Sequence, residues 1–218
     1  KTAILTILLL ASLWGLIEVS LAPWLREVAL PWRAALLCGL GMGLAGVALG
    51  LYRRPLLLLL MPLGAIAVKM LAVPLMGVSP LCQLNNCIGI GLEGGLLVAV
   101  LLPAGGALWR TVNRRLLVGA AVPLLAAGAF WYIGMRAEPC NYLLSFNTAG
   151  GLMRFLGQEG ARWALVSIPL FPVGFRVGSL LAKPLRLWSS QRLLIVNTTV
   201  SLLLAVVWIA GAMATINL

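Results

Sequence analysis

The stretch Ser79-Pro80-Leu81-Cys82-Gln83-Leu84-Asn85-Asn86-Cys87-Ile88-Gly89-Ile90-Gly91-Leu92-Glu93 joins two long apolar segments. It holds two of the chain's four cysteines, three amides between them, and a carboxylate just inside the apolar run that follows. Taken as a connection between two membrane-spanning helices, it predicts an all-α, polytopic transmembrane bundle with a polar wall at one membrane face.

Composition leads to the same class. Hydrophobic residues make up 62% of the chain and charged residues 10%, and the mean hydropathy is +1.06. A soluble domain of this size needs far more charge to cover its surface. The net charge of +11 does not imply nucleic acid, because the basic residues fall in short clusters between apolar runs, as in membrane loops. The chain has no His and no Asp, which excludes His ligation of haem or metal and Asp-based proton relays within it. It opens on Lys1 rather than Met, which leaves room for a short leader. The first apolar run is too long for a signal peptide and carries Glu18, so it is read as a retained helix.

About 20 apolar residues cross the hydrocarbon core as a helix. Seven segments qualify: 3–22, 34–51, 56–76, 88–109, 116–134, 161–182 and 193–216. The sixth contains Pro169 and Pro172 and is expected to kink. Gly39, Gly41, Gly43, Gly46 and Gly50 crowd the second, a packing face for close helix approach. Arg53 and Arg54, then Arg110, Arg114 and Arg115, then Lys183, Arg186 and Arg192 occupy alternate connections that hold no carboxylate. The other connections carry Arg26, Arg33, Arg136 and Arg154, offset by Glu27, Glu138 and Glu159. The positive-inside rule then puts the N-terminus inside and the C-terminus outside, in a prokaryotic inner membrane. The longest connection, 135–160, is external, and its Leu143, Phe146, Leu152 and Phe155 predict a cap packed back onto the bundle.

This orientation gathers the unusual residues at one depth. Cys82, Cys87 and Cys140 fall in external loops, and Cys38 lies about one turn below the external start of the second helix. Glu18 lies near the outer end of the first helix. Lys69 lies roughly 10 Å below the outer end of the third, and Glu93 roughly 8 Å below the start of the fourth. A lone charge at such depth costs several kcal/mol, so Lys69 is expected to pair with Glu93 or, failing that, with Glu18. The pair either ties helices together or floors a ligand pocket, and the two roles are compatible. Ligand contacts are expected from Glu18, Lys69, Gln83, Asn85, Asn86, Glu93 and Asn141, under a lid of 82–87 and 139–142. The cysteines have three readings: disulfides (Cys82 with Cys87, Cys38 with Cys140), a metal or iron–sulfur site, or free thiols of which one ligates the metal of a bound cofactor. A corrinoid, a haem or an iron–sulfur cluster is the cofactor such thiols would suit. Gly89, Gly91, Gly94 and Gly95 lack the strand before and the Lys-Ser/Thr after that a phosphate loop needs. Asn197-Thr198-Thr199 is formally a glycosylation sequon but sits at the inner end of the seventh segment. No nucleotide-binding, hydrolase or haem motif is present, so no catalytic residue is assigned.

Ser12-Leu13-Trp14-Gly15-Leu16-Ile17-Glu18, Arg53-Arg54-Pro55, Val68-Lys69 and Leu92-Glu93 together resemble the substrate-binding (S) components of energy-coupling factor transporters. The resemblance covers roughly the first half of the chain and implies a six-helix core that binds a vitamin or metal-containing cofactor near the outer face. It also implies that 23–33, 77–87 and 135–160 cover the ligand. In a few cobalamin-binding relatives a loop cysteine ligates the metal, which makes Cys82 or Cys87 the candidate here. The chain departs from the family in offering only Ala11-x-x-x-Gly15 as a docking face, and in its seventh helix.

Three functions follow: a solute-binding or transport subunit, a redox subunit using the outer cysteines, and an anchor or assembly subunit of a larger membrane complex. The partners expected are the lipid bilayer, other membrane subunits and a small-molecule ligand. An impermeant maleimide added to reduced intact cells is expected to label single-cysteine variants that retain Cys82 or Cys140. Labelling confined to inverted vesicles would reverse the orientation.

Overall fold

In the computed structural model the chain is described over residues 2–28, 30–76, 80–104, 106–137 and 141–185, and at 192, 195–196, 198–203, 205–206 and 208–209. The elements in order are α1 (Thr2–Glu27), α2 (Arg33–Tyr52), a 3₁₀ turn (Pro55–Leu59) running into α3 (Leu60–Met76), and α4 (Pro80–Leu101). Short α5 (Ala107–Arg110) leads to α6 (Val112–Ala137), followed by α7 (Asn141–Leu144) and α8 (Gly151–Phe155). A single π-helical turn, Leu156–Gly160, joins α8 to α9 (Ala161–Leu185). Among the described residues, five helical stretches are long and apolar enough to cross a membrane: Ala3–Glu27, Arg33–Tyr52, Gln83–Leu101, Val112–Ala137 and Gly151–Ala182. Pro55–Leu71 is a shorter apolar helical stretch. The molecule is an all-α, multi-pass membrane helix bundle.

Several boundaries move from the hydropathy reading. Residues 80–87 are not a loop but the first two turns of α4. Pro80 opens that helix, a position where its missing N–H costs nothing. The fourth segment ends at Leu101, ahead of Pro103, rather than at residue 109. The expected long connection is largely helical too, since α6 continues to Ala137 and an unbroken helix begins at Gly151. The segment through Pro169 and Pro172 stays helical from Ala161 to Leu185. Of the seventh segment, the residues described between 195 and 209 are helical, and Trp208 Nε1 donates to Ser12 Oγ of α1 at 2.8 Å. The remainder of 193–216 lies outside the described residues.

The closest helix contact joins α2 to α9. The two run parallel, so partners advance together: Gly39 lies by Val166, Gly46 by Phe171 and Gly50 by Phe175 and Ser179. On α9, a Cβ at Gly174 would run into the Gly43 carbonyl, and one at Gly178 into the Val47 carbonyl. Backbone therefore touches backbone. In lipid this kind of approach stabilises helix pairs, because apolar burial supplies little drive between helices already surrounded by hydrocarbon. A second parallel contact joins α1 and α3, where a Cβ on Gly15 would lie 2.7 Å from Val68 Cβ and one on Gly64 2.7 Å from Ala11 Cβ. α6 packs against α9 in the opposite sense, with Gly119 beside Ser167 and Ala127 beside Gly160.

Two clusters form the core. One is centred on Trp14, Met42, Leu49, Met61, Leu97 and Phe171. The other is aromatic, with Phe146, Phe155 and Trp163 packed with Cys38, Ala127 and Leu143. Phe146 meets Phe155 edge-on, with ring centroids 5.2 Å apart, and Phe155 meets Trp163 likewise at 6.5 Å. The segment 141–155 thus packs back on the bundle as its apolar residues require.

At the opposite end of the bundle α2 is closed by Arg53, the one described non-glycine residue with positive φ, at 51°. Its N–H bonds to the Leu49 carbonyl. A side chain in this conformation costs about 1–2 kcal/mol, and the gain is a guanidinium at the negative end of the helix dipole.

Gly174→Ala and Gly178→Ala are expected to push α2 and α9 apart and to destabilise by about 1–3 kcal/mol each. Gly95→Ala, where an added Cβ meets nothing within 4 Å, is expected to be neutral or better. Apparent melting temperatures in one detergent give the comparison.

Candidate functional site

The start of α2 and the π turn with the start of α9 meet the ends of α1 and α6 and the first turns of α4 around one cavity. Its volume is ≈ 690 Å³. That size suits a small organic ligand. α1 contributes Glu18 and Arg26, α2 contributes Arg33 and Cys38, and α4 contributes Asn85, Asn86 and Glu93. Phe130, Tyr142 and Phe155 form an aromatic side, and Glu159, Arg162 and Trp163 close it from α9 and the turn before it.

The charged groups differ in how they are satisfied. Lys69 Nζ donates to Glu18 Oε2 at 2.8 Å, and the two residues are 4% and 9% exposed. The pairing expected first, with Glu93, is therefore not the one formed. Glu18 holds Lys69 because α1 and α3 are packed side by side through Gly15 and Val68. Lys69 itself does not line the cavity. Glu93 is 6% exposed, and its Oε1 has no hydrogen-bond partner among the described residues. A buried carboxylate oxygen left this way costs more than the bond it forgoes, and a ligand donor would remove that cost. Trp163 Nε1, also in the cavity wall, is a second buried polar atom without a partner among the described residues. Cys38 Sγ lies 3.6 Å from Ser167 Oγ.

The rim is basic. Arg26 and Arg33 are exposed, and Arg162 is half-buried. Arg162 Nη1 donates to Glu159 Oε1 at 3.0 Å and lies 5.8 Å over the Trp32 ring. Beside them, burial first and then the Glu159 carboxylate, which accepts its hydrogen bond, push the Tyr142 phenol above the ordinary tyrosine range. Arg162 and Arg33 oppose that shift. Tyr142 therefore stays neutral and able to donate throughout the physiological range.

The other expected site residues are distributed differently. Gln83 sits one turn before the cavity wall, where its Oε1 accepts from Asn86 Nδ2 at 3.1 Å. Asn141 is exposed and outside the lining. Cys87 is a free, buried thiol directed at Met70, with sulfurs 3.8 Å apart, and Cys38 is also free. The side chain of Cys82 and all of Cys140 lie outside the described residues, as do Glu138 and Pro139. A Cys82–Cys87 bridge does not suit a helix, because residues five apart on one helix have Cα atoms roughly 8–9 Å apart, beyond the ~7 Å a disulfide spans. Among the described residues, no group of three or more Cys or Glu side chains is placed to hold a metal ion. Arg162, Trp163 and Phe130 join the wall without a signal in the sequence, whereas Phe155 belongs to the 135–160 stretch expected to cover the ligand. Arg162 stands at the start of a helix whose hydropathy reports only its apolar length, and its ion-pair partner Glu159 lies three residues earlier.

No family model, no curated protein and no solved structure matches the chain.

Removing one member of the buried Glu18–Lys69 pair strands the other. Lys69→Met is expected to destabilise by about 3–5 kcal/mol, and the double variant Glu18→Gln/Lys69→Met by much less. Thermal unfolding of the four proteins in detergent closes the cycle, and equal losses in the single and double variants would contradict it.

Proposed function

We propose that the protein is a solute-binding subunit of a membrane transport system, taking an amphipathic, ring-containing small molecule into the cavity between α1, α2, α4 and α9. The observation that carries this reading is Glu93, a buried carboxylate in the cavity wall whose Oε1 is unsatisfied. A buried polar atom left this way calls for a partner, and a ligand donor in the cavity supplies one.

The cavity's chemistry describes its ligand. Arg26, Arg33 and Arg162 at the rim favour a carboxylate or phosphate. Phe130, Phe155 and Trp163 favour a flat ring system. Glu93 favours an N–H or cationic nitrogen on the ligand's buried end. A vitamin-like or cofactor-like heterocyclic acid carries all three features. This reading is in keeping with the resemblance of the first half of the chain to S components of energy-coupling factor transporters. Under the positive-inside rule the cavity faces outward in a prokaryotic inner membrane, with the arginine-rich end inside, so the solute would be captured from outside.

Binding is tested by isothermal calorimetry and thermal shift on the purified chain, against vitamins, corrinoids, haems and other heterocyclic acids. A true ligand is expected to lose about ten- to a hundredfold in affinity on Glu93→Gln. Arg33→Gln/Arg162→Gln is expected to weaken acids and spare their neutral amides. A panel in which nothing binds, or a ligand indifferent to both variants, would overturn the reading.

A further inference from the structure

The opposite end of the bundle holds a second, unrelated concentration of charge. Arg53 closes α2, Arg110 ends α5, Arg115 lies on the first turns of α6 and Arg176 lies inside α9. Together they line two adjoining grooves of ≈ 420 Å³ and ≈ 370 Å³. Arg53, Arg115 and Phe175 belong to both. Arg110 completes the first groove and Arg176 the second. No carboxylate lines either one, and none of the four arginines joins the chain's described ion pairs. The described glutamates Glu18, Glu27, Glu93 and Glu159 belong to the other end of the bundle.

This is more than the scattered positive charge of a membrane loop. Arg115 is anchored: its Nε donates to the Trp109 carbonyl at 2.9 Å, its Nη2 to the Arg110 carbonyl at 3.3 Å, and its guanidinium lies 4.3 Å over the Phe175 ring. Arg53 is held in a left-handed backbone conformation that side chains rarely adopt. Ser179 Oγ, in the wall of the second groove, is buried without a hydrogen-bond partner among the described residues. Guanidinium groups that line one groove repel one another, and an anion between them removes that repulsion.

The flanks of the grooves say which anion. Val173 and Leu165 on α9, running from Arg176 into the span, and Leu117 and Leu124 on α6, running from Arg115 into it, are exposed apolar side chains. A ligand here meets guanidinium at its head and an uncovered apolar helix face along its length. We propose that the paired grooves are a binding site for an anionic phospholipid, with its headgroup phosphate between Arg53, Arg115 and Arg176 and its acyl chains along α6 and α9. Basic pockets between membrane helices suit such headgroups. The site is independent of the cavity at the other end and of any transport role.

The test uses the full chain, delipidated in detergent and re-exposed to mixed micelles of phosphatidylcholine with phosphatidylglycerol or with diphosphatidylglycerol. Native mass spectrometry reads the retained lipid. The anionic lipids are expected to be retained preferentially. Arg115→Gln/Arg176→Gln is expected to lower that retention about thirtyfold. Arg136→Gln/Arg154→Gln, which removes the same charge at the other end and outside the cavity lining, is expected to leave it in place. Arg115→Lys/Arg176→Lys keeps the charge and serves if the glutamine variant does not fold; it is expected to fall between wild type and glutamine, because lysine lacks the two-pronged fork. Inorganic phosphate at millimolar concentration is expected not to displace the lipid. Equal retention of zwitterionic and anionic lipid, unchanged retention in the arginine variants, or full displacement by inorganic phosphate would each overturn the proposal.

Discussion

Everything at both ends of this bundle depends on the backbone contact between α2 and α9. Glycines on both helices let carbonyl oxygens of one approach Cα atoms of the other, and the pair runs parallel. Parallel packing puts both helix starts at one membrane face and both helix ends at the other. Arg33 and Cys38 therefore meet Glu159, Arg162 and Trp163 at the first face, and Arg53 meets Arg176 and Ser179 at the second. A single packing choice thus assembles a mixed-charge cavity and an all-basic groove from the same two helices. Neither is local in sequence, since the residues joined at each face are more than a hundred positions apart.

The helix class and the position of most spans are legible in the sequence because hydropathy reports directly on transfer into hydrocarbon. The glycines of α2 are legible as a packing face for a similar reason, since a dense run of them in an apolar helix has few other uses. What hydropathy hides is the polar beginning of a helix. The turns of α4 from Pro80 to Cys87 carry three amides and look like a loop, and the π turn with Glu159 looks like part of one. Both are where the cavity wall lies, so the site residues Asn85, Asn86 and Glu93 could be named while their common helical scaffold could not. The sequence offers Lys69 two partners, Glu93 and then Glu18, and the choice between them is hidden for another reason. Depth in the membrane follows from counting residues, but adjacency does not, and only the packing of Gly15 against Ala65 and Val68 makes α1 the neighbour. Arg176 carries a signal of its own: an arginine inside an apolar span is unusual enough to demand a role.

The same packing bears on how this chain would meet other subunits. Ala11 is fully buried against Gly64, and Gly15 faces the Ala65 backbone. The small residues of α1, the nearest feature to a docking stripe in the sequence, are consumed inside the bundle. A partner must therefore use another surface. The exposed apolar side chains of α9 and α3, such as Val173, Leu63 and Leu71, face outward and remain uncovered.

A contact made by main chain on main chain has no compliant layer. Side chains between helices can change rotamer and let one helix slide by a fraction of an ångström, whereas Gly174 against the Gly43 carbonyl and Gly178 against Val47 leave nothing to re-pack. The α2–α9 pair is in mechanical terms a post. α1 meets it through the Trp14 ring laid on Gly41, a contact of side chain on backbone that can tilt. Any breathing of the cavity then falls to the walls built by α1, α4 and the α6–α8 segment, with Lys69 carried along by its pair with Glu18. The basic groove, built largely on the post and on the start of α6 beside it, keeps its shape while those walls move.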